Sequence, residues 1–256
     1  MQDSSQPNNK VVVNYPSLIC DSFAAYLVGT PITYNTNEQI KEILNYNDVA
    51  DLDLELDTDC NIFGYAVEQV YLDEEAQIRL ARINPKNVIL VYDNSIEHKL
   101  IQAIKFFPID NYTYQVEIYS RDKKQTFSSG SGLSNLTLVS EEENFFKEVP
   151  FVEYINNEYR LSSFEPVISL IDGLEKLSSD EVNTFEQFCD CYMILKNIDA
   201  DPEDIQKMRS NRVLLLGEDS DASYLTKQVN IEQINSLKKD FVENIHKISC
   251  VPNMND

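Results

Sequence analysis

The feature that most constrains this chain is the stretch "SSFEPVISLIDGLEKLSSDEVNTFEQF", Ser162 to Phe188. Ser162 and Glu165 have the spacing of a capping box, and Pro166 falls within the first turn, where its missing N–H costs little. From there Val167, Ile171, Leu174, Ser178, Val182, Phe185, Cys189 and Tyr192 step by three or four. Ile168, Leu170, Leu177 and Phe188 widen that stripe, and Gly173 is the one weak point inside it. The seam predicts a helix of about seven turns reaching the neighbourhood of Lys196, roughly 45–50 Å at 1.5 Å per residue. A helix that long cannot bury its length on a small sheet, so it must pack on another helix or another subunit.

A partner helix is present in the same chain. Asn230 is placed as the N-cap of "IEQINSLKKDFVENIHKIS", with Ile231, Ile234, Leu237, Phe241, Ile245 and Ile248 on one face. Between the two helices lies an insert, Asn197–Val229. It reads as a short helix near Pro202–Arg209, followed by strands "RVLLLG" and "ASYLTKQV" across the turn "EDSD".

Upstream, residues 1–9 read as a disordered lead-in. A helix is predicted over Pro16–Val28, with Leu18, Ile19, Phe23, Leu27 and Val28 at helical spacing and a stop at Gly29, Thr30 and Pro31. A second begins near Thr36 or Asn37, with Ile40, Ile43 and Leu44 on one face. "DLDLELDTDC" (Asp51–Cys60) superficially resembles a calcium loop, but Leu56 stands where glycine is required and Ile62 where a bidentate Glu is required. Leu52, Leu56, Cys60 and Phe63 instead mark an acidic amphipathic helix.

From Tyr65 the apolar period changes to two. "AVEQVYLD", "QIRLARI", "NVILVYD", "LIQAIKFF", "TYQVEIYS" and "KQTFSS" are strand-like runs with short connections, which favour antiparallel pairing in a meander or curved sheet. "SSGSGLSN" (Ser128–Asn135) reads as a flexible loop, "LTLVS" as a last strand, and "EEENFFKEVPFVEYINN" as a segment leading away from the sheet.

Composition enters through what it excludes. A chain of 256 residues makes one large domain or two smaller ones. It carries 43 acidic and 21 basic residues, a net charge of -22, and no basic run. Tight phosphate binding needs clustered Lys and Arg, so nucleic-acid recognition of that kind is excluded. Cys20, Cys60, Cys189, Cys191 and Cys250 are odd in number and irregularly spaced, and "MQDSSQPNNK" has no apolar signal region, so free thiols in a reducing compartment are expected. "VVVNYPSLICDSFAAYLVGTPITY" is interrupted by Pro16, Asp21 and Pro31 and falls short of a membrane span.

The reactive residue types form no pattern. His98 lies in a polar loop and His246 on the second long helix. Cys189 and Cys191, two apart on a helix, face different ways and cannot chelate together. There is no phosphate-binding glycine loop, no GxSxG and no HExxH. No catalytic, cofactor-binding or metal-ligating residue is therefore assigned, no cofactor is expected, and the chain is not read as an enzyme.

Taken in order, these segments resemble the portal (head–tail connector) proteins of tailed bacteriophages, in the branch found in siphophages of Gram-positive hosts. "NKVVVNYPSLICDSFAAYLVGTPITY" is similar to that family's opening helix and its glycine–proline stop. "FGYAVEQVYLDEEAQIRLARINPKNVILVYDNSI" looks like its most recognisable block, with Gly64, a tyrosine-rich strand, an acidic turn and Asn84-Pro85 before the "VYD" strand. "VPFVEYINNEYRLSSFEPVISLIDGLEKLSSDEVNTFEQF" resembles the approach to the stem helix, and "CVPNMND" the entry to the tunnel segment.

The resemblance implies an α+β, portal-like fold: an antiparallel β-rich wing domain flanked by helices, a two-helix stem and a small α/β clip. The corresponding division is a lead-in over 1–9, the wing over 10–161, the stem helix over 162–197, the clip over 198–229, a second stem helix over 230–249 and the start of the tunnel over 250–256. Family members continue past the equivalent of "NMND" into a tunnel loop, a long helix and a crown, so the chain is expected to be C-terminally truncated relative to them. The resemblance further implies a cyclic homo-oligomer, typically of twelve subunits, at one vertex of the capsid, assembled in the host cytoplasm. Double-stranded DNA passes through it non-specifically, and its partners are terminase, capsid or scaffold, and head–tail connector proteins, with no membrane. Two other function classes stand beside it: a monomeric phage-encoded interaction adaptor, which stays monomeric until a partner is added, and a phage enzyme, which shows metal- or peptide-dependent turnover.

Overall fold

The computed structural model describes residues 7–131, 134–188, 192–196, 201, 203, 206, 221–225 and 231–254. They fall into two compact units, Asn14–Ile168 with Lys247–Asp256, and Met1–Val13 with Ser169–His246.

The larger unit opens with three helices. α1 (Tyr15–Val28) follows the predicted bounds, but its buried face is Ile19, Cys20, Ala24 and Val28, while Leu18 and Leu27 are exposed. The small Cys and Ala allow α1 to lie close against α3. α2 (Glu38–Tyr46) starts at Asn37, whose side chain accepts from the Ile40 N–H at 3.0 Å. α3 (Val49–Phe63) is the acidic helix, and Leu52, Leu56 and Cys60 form its buried stripe as expected. It ends at Gly64, where φ is +81°. A Cβ there would meet the Arg160 carbonyl oxygen at 2.0 Å, so glycine is required both by the left-handed backbone and by the close approach of another segment.

Two antiparallel sheets follow. β1 (Tyr65–Leu72) is flanked by β2 (Ile78–Ile83) and β8 (Phe151–Ile155). The second sheet is a meander of β3 (Val88–Tyr92), β4 (Leu100–Pro108), β5 (Tyr114–Ser120), β6 (Lys123–Ser131) and β7 (Ser134–Glu143). A 3-10 turn at Pro85–Asn87 leads into β3, with Asn84 Oδ1 accepting from the Lys86 N–H at 3.0 Å.

β1 is buried on both faces. Ala66 packs with Leu52, Leu56 and Cys60 of α3, whereas Val67 packs with Val88, Ala103, Tyr119, Val149 and Phe151 on the side of the meander. The unit is thus layered helix, small sheet, larger sheet. Its buried polar groups are paired: Asp59 with Arg82, Glu68 with Tyr154, Gln69 with Lys105.

Two expectations for this unit need correction. The described residues of Ser128–Asn135 are strand, not loop: β6 runs to Ser131, β7 starts at Ser134, and those two residues pair. The segment after β7 does not leave the sheets, because Phe151–Ile155 returns as β8 and pairs with Tyr65–Gln69.

In the smaller unit α4 (Ile168–Phe188) and α5 (Ile231–Ser249) are the two long helices. α4 is shorter than predicted at both ends. Glu165–Val167 is a 3-10 turn, and only half of the capping box forms, with Glu165 Oε2 accepting from the Ser162 N–H at 3.2 Å. At the other end Tyr192–Lys196 is a strand, β9, paired with β10 (Asp221–Leu225). β10 coincides with the predicted "ASYL" run, while "RVLLLG", most of the short helix near Pro202–Arg209, Cys189 and Cys191 lie outside the described residues.

Candidate functional site

The two long helices form the most distinctive surface of the smaller unit. Gly173 of α4 faces the ring of Phe241 of α5, and a Cβ at position 173 would lie 3.1 Å from Phe241 Cζ. The absence of a side chain there lets the phenyl ring rest on helix backbone. Further along, Glu181 and Lys238 form an ion pair between the helices, each side chain about one-quarter exposed.

The apolar seam predicted from the sequence is present but unevenly covered. Ile171 and Leu174 of α4 and Ile245 of α5 are buried. Toward the opposite ends, Val182 is 42% exposed, Phe185 57% and Ile231 52%. Together with Leu177 and Ile234, Phe185 and Ile231 line a shallow cleft of about 100 Å³. Large aliphatic and aromatic groups left in water along one stripe of a helix pair mark a surface that another protein can cover.

Sequence reasoning missed a second feature. The segment from Asn9 to Val13 runs beside α4 and is tied to it at alternate residues. The Asn9 N–H donates to Asn183 Oδ1 at 2.7 Å, the Val11 N–H to Ser179 Oγ at 2.9 Å and the Val13 N–H to Glu175 Oε1 at 3.0 Å. Asn9 Nδ2 also donates to Glu186 Oε2 at 2.5 Å. An extended strap with one edge of N–H donors faces a helix with acceptors at four-residue intervals. The acceptors, Glu175, Ser179 and Asn183, are spaced by four on α4, but they stand among many other polar residues of that helix, so the sequence does not single them out. Of the predicted lead-in, residues 1–6 lie outside the described residues, and Asn9 is held to α4.

His98 is exposed in the β3–β4 connection at φ 47°, and His246 is half-buried on α5. Cys20 and Cys60 are buried, with burial as the first cause pushing each thiol up to about 11, which leaves them protonated and inert at neutral pH. Among the described residues no group of three His, Cys, Asp or Glu is placed to hold a metal ion, and no helix is long and apolar enough to cross a membrane.

Residues 2–256 match the family described as "Phage portal protein, SPP1 Gp6-like". The chain belongs to this family of phage portal proteins. It is 22% identical over 254 residues to the portal protein of Bacillus phage SPP1, covering 90% of this chain and 50% of that protein. It is also 22% identical over 273 residues to the portal protein of Clostridium phage phiCD119, covering 94% of this chain and 59% of that one. The chain therefore spans only half to three-fifths of the length of these relatives.

Solved structures share the fold, two of them from gene transfer agent particles. A chain in the virion of a native gene transfer agent particle superposes with a TM-score of 0.54 at 12% identity, over 94% of this chain and 66% of that one. A chain in the neck of such a particle, computed with C12 symmetry, gives 0.55 at 14% identity, over 93% and 64%. The α+β, portal-like architecture expected from the sequence is thus the fold observed. Portal proteins are structural components of the phage virion, and the family is not one of enzymes.

Proposed function

We propose that the chain is the subunit of a portal ring, set at one vertex of a phage capsid, through which double-stranded DNA is packaged and ejected. In this reading residues 10–161 are the wing, α4 and α5 the stem, 198–229 the clip and 250–256 the start of the tunnel. The clip docks terminase during packaging and head–tail connector proteins afterwards, and assembly takes place in the host cytoplasm.

The observation that carries the reading is the half-covered seam of the α4–α5 pair. Val182, Phe185 and Ile231 expose apolar surface on a helix pair that has used up its own partner, and copies in a cyclic array can cover that surface head to tail. The C12 symmetry of the neck containing a structural neighbour supports twelve as the number of copies. The net charge of -22 suits a channel that DNA must slide through, because a chain with 43 acidic and 21 basic residues has no basic run to hold phosphates tightly.

Native mass spectrometry with negative-stain imaging tests it, both on this chain and on one extended toward the full length of its relatives. Closed rings of about a dozen copies are expected, and Val182→Glu with Phe185→Glu should return them to monomers. An extended chain that stays monomeric overturns the reading in favour of a monomeric adaptor.

A further inference from the structure

α4 and α5 hold each other through one face, and each keeps a charged face turned outward. On α4, Asp172, Lys176 and Asp180 recur every four residues, so they share one side of the helix. All three are exposed, and among the described residues none has an ion-pair partner. On α5, Lys239, Glu243 and Lys247 recur in the same way and are exposed as well. Their one contact is Lys239 with Glu243 at 3.6 Å, with side chains 77% and 57% exposed, and a pair in that setting adds little. The signs alternate in opposite senses: minus, plus, minus along α4, and plus, minus, plus along α5.

Within one chain these two faces do not meet. The helices run antiparallel, with Gly173 against Phe241 and Glu181 against Lys238, so the number falls on α5 as it rises on α4. From the helical repeat, Lys176 points about 100° away from the mean direction of Gly173 and Glu181, and Glu243 about 170° away from that of Phe241 and Lys238. The charged faces are therefore left for something outside the chain.

We propose that they pair between neighbouring copies, the α4 face of one against the α5 face of the next, with Asp172 opposite Lys247, Lys176 opposite Glu243 and Asp180 opposite Lys239. The inference rests on the ring reading and adds which surfaces join the copies, and in which register.

The register follows from the ion pair already made between the helices. From Glu181 and Lys238, one residue back on α4 and one on along α5 stand Asp180 and Lys239; five residues give Lys176 and Glu243; nine give Asp172 and Lys247. Rotation about an axis along the helices leaves every height unchanged, so a neighbour's α5 is level with α4 in the same way as the chain's own. Opposite charges then meet at all three steps. A slip of one turn would set Asp172 against Glu243 and Lys176 against Lys239, like charge on like, so the alternation selects one height. The other charges nearby do not interfere. Asp240 comes level with Ser179, Glu175 accepts from the Val13 N–H, and Glu181 is held by Lys238.

Charge reversal tests the pairing, with native mass spectrometry over a range of concentrations on this chain and on the extended one. Lys176→Glu or Glu243→Lys alone is expected to raise the concentration at which rings half-assemble by about tenfold or more. The two together should bring it back to within about threefold of the original. At about 1 M salt, where the Debye length falls to about 3 Å, the single variants should differ little from the original. Both side chains are exposed, so the monomer should keep its far-UV spectrum and melting temperature. Rings that ignore the single reversals overturn the inference and leave the ring reading standing. Rings lost in the single variants and not repaired in the double variant overturn it too, because repair is what reports that these two positions meet. An extended chain that forms no closed assembly overturns the ring reading and the inference together.

Discussion

Replacing Arg82 by alanine should be among the most damaging single changes in the larger unit. Asp59 on α3 is 0% exposed, and Arg82 on β2 holds it in a two-pronged contact, Nε to Oδ2 at 2.5 Å and Nη2 to Oδ1 at 2.6 Å. Glu55, at 3.9 Å and exposed, adds little. Removing one partner of a buried pair costs about 3–5 kcal/mol, because the other charge stays buried without compensation. The Arg82 side chain is 36% exposed, so water already takes part of the load and the low end, about 3 kcal/mol, applies. For a unit of this size that is a fall in melting temperature of about 6–12 °C. Urea denaturation and calorimetry measure it. Because the carboxylate is out of water, the loss should persist at high salt. Changing Asp59→Asn in the Arg82→Ala background removes the stranded charge and should restore more than half of the loss. A cost below about 1 kcal/mol, or no recovery in the double variant, would refute the reasoning.

Gly64→Ala forces a Cβ into a left-handed backbone, worth about 1–2 kcal/mol, and into the Arg160 carbonyl; a total loss above about 2 kcal/mol is expected in chemical denaturation. Glu68, buried on β1, has its carboxyl raised above the ordinary 4.5, first by desolvation and then by Asp53, against the bond from Tyr154. A raised acid binds its proton more tightly folded than unfolded, so this group costs stability above its folded pKa, and that cost is relieved as pH falls through the folded value toward 4.5. Glu68→Gln should therefore stabilise the protein at pH 7 and make no difference well below pH 4.5, as read by urea melts at the two pH values. Ser179→Ala with Glu175→Ala takes both acceptors from the strap and should speed amide exchange at Val11 and Val13 by about tenfold or more, the equivalent of one lost hydrogen bond. Unchanged exchange would mean that the strap is held elsewhere.

Much of this was legible in the sequence where one element satisfies its own pattern. The α2 N-cap at Asn37, the α3 stripe and the successive strands β3 to β6 are set by neighbours in the chain. The misses came where a partner distant in sequence decides the outcome. "YMILK" continues the helical seam through Tyr192, yet a five-residue apolar run fits a strand equally well, and pairing with Asp221–Leu225 selects the strand. "FVEYI" looked like a connection because six strands, β2 to β7, lie between it and its partner β1. "SSGSGLSN" has the composition of a linker, but its described ends pair with each other as the facing ends of β6 and β7, Ser131 with Ser134. The seam of α4 and α5 was visible as periodicity, whereas its uneven covering was not, since exposure depends on what the rest of the unit leaves bare. The strap was invisible for a related reason: its bonds use main-chain donors, which every residue other than proline carries.

That strap and its helix amount to a vernier. Two residues of extended chain advance about 6.6 Å, and four residues of α-helix advance about 6.0 Å. The two scales coincide well enough for bonds at Asn183, Ser179 and Glu175, then drift apart by about 0.6 Å with each further step. The mismatch limits how far such a segment can follow a helix before its donors fall out of phase, whatever the residues involved. Lengthening the polar ladder on α4 by another turn or two would thus gain little, while a one-residue insertion between Asn9 and Val13 would turn alternate N–H groups away from the helix and dismantle the attachment.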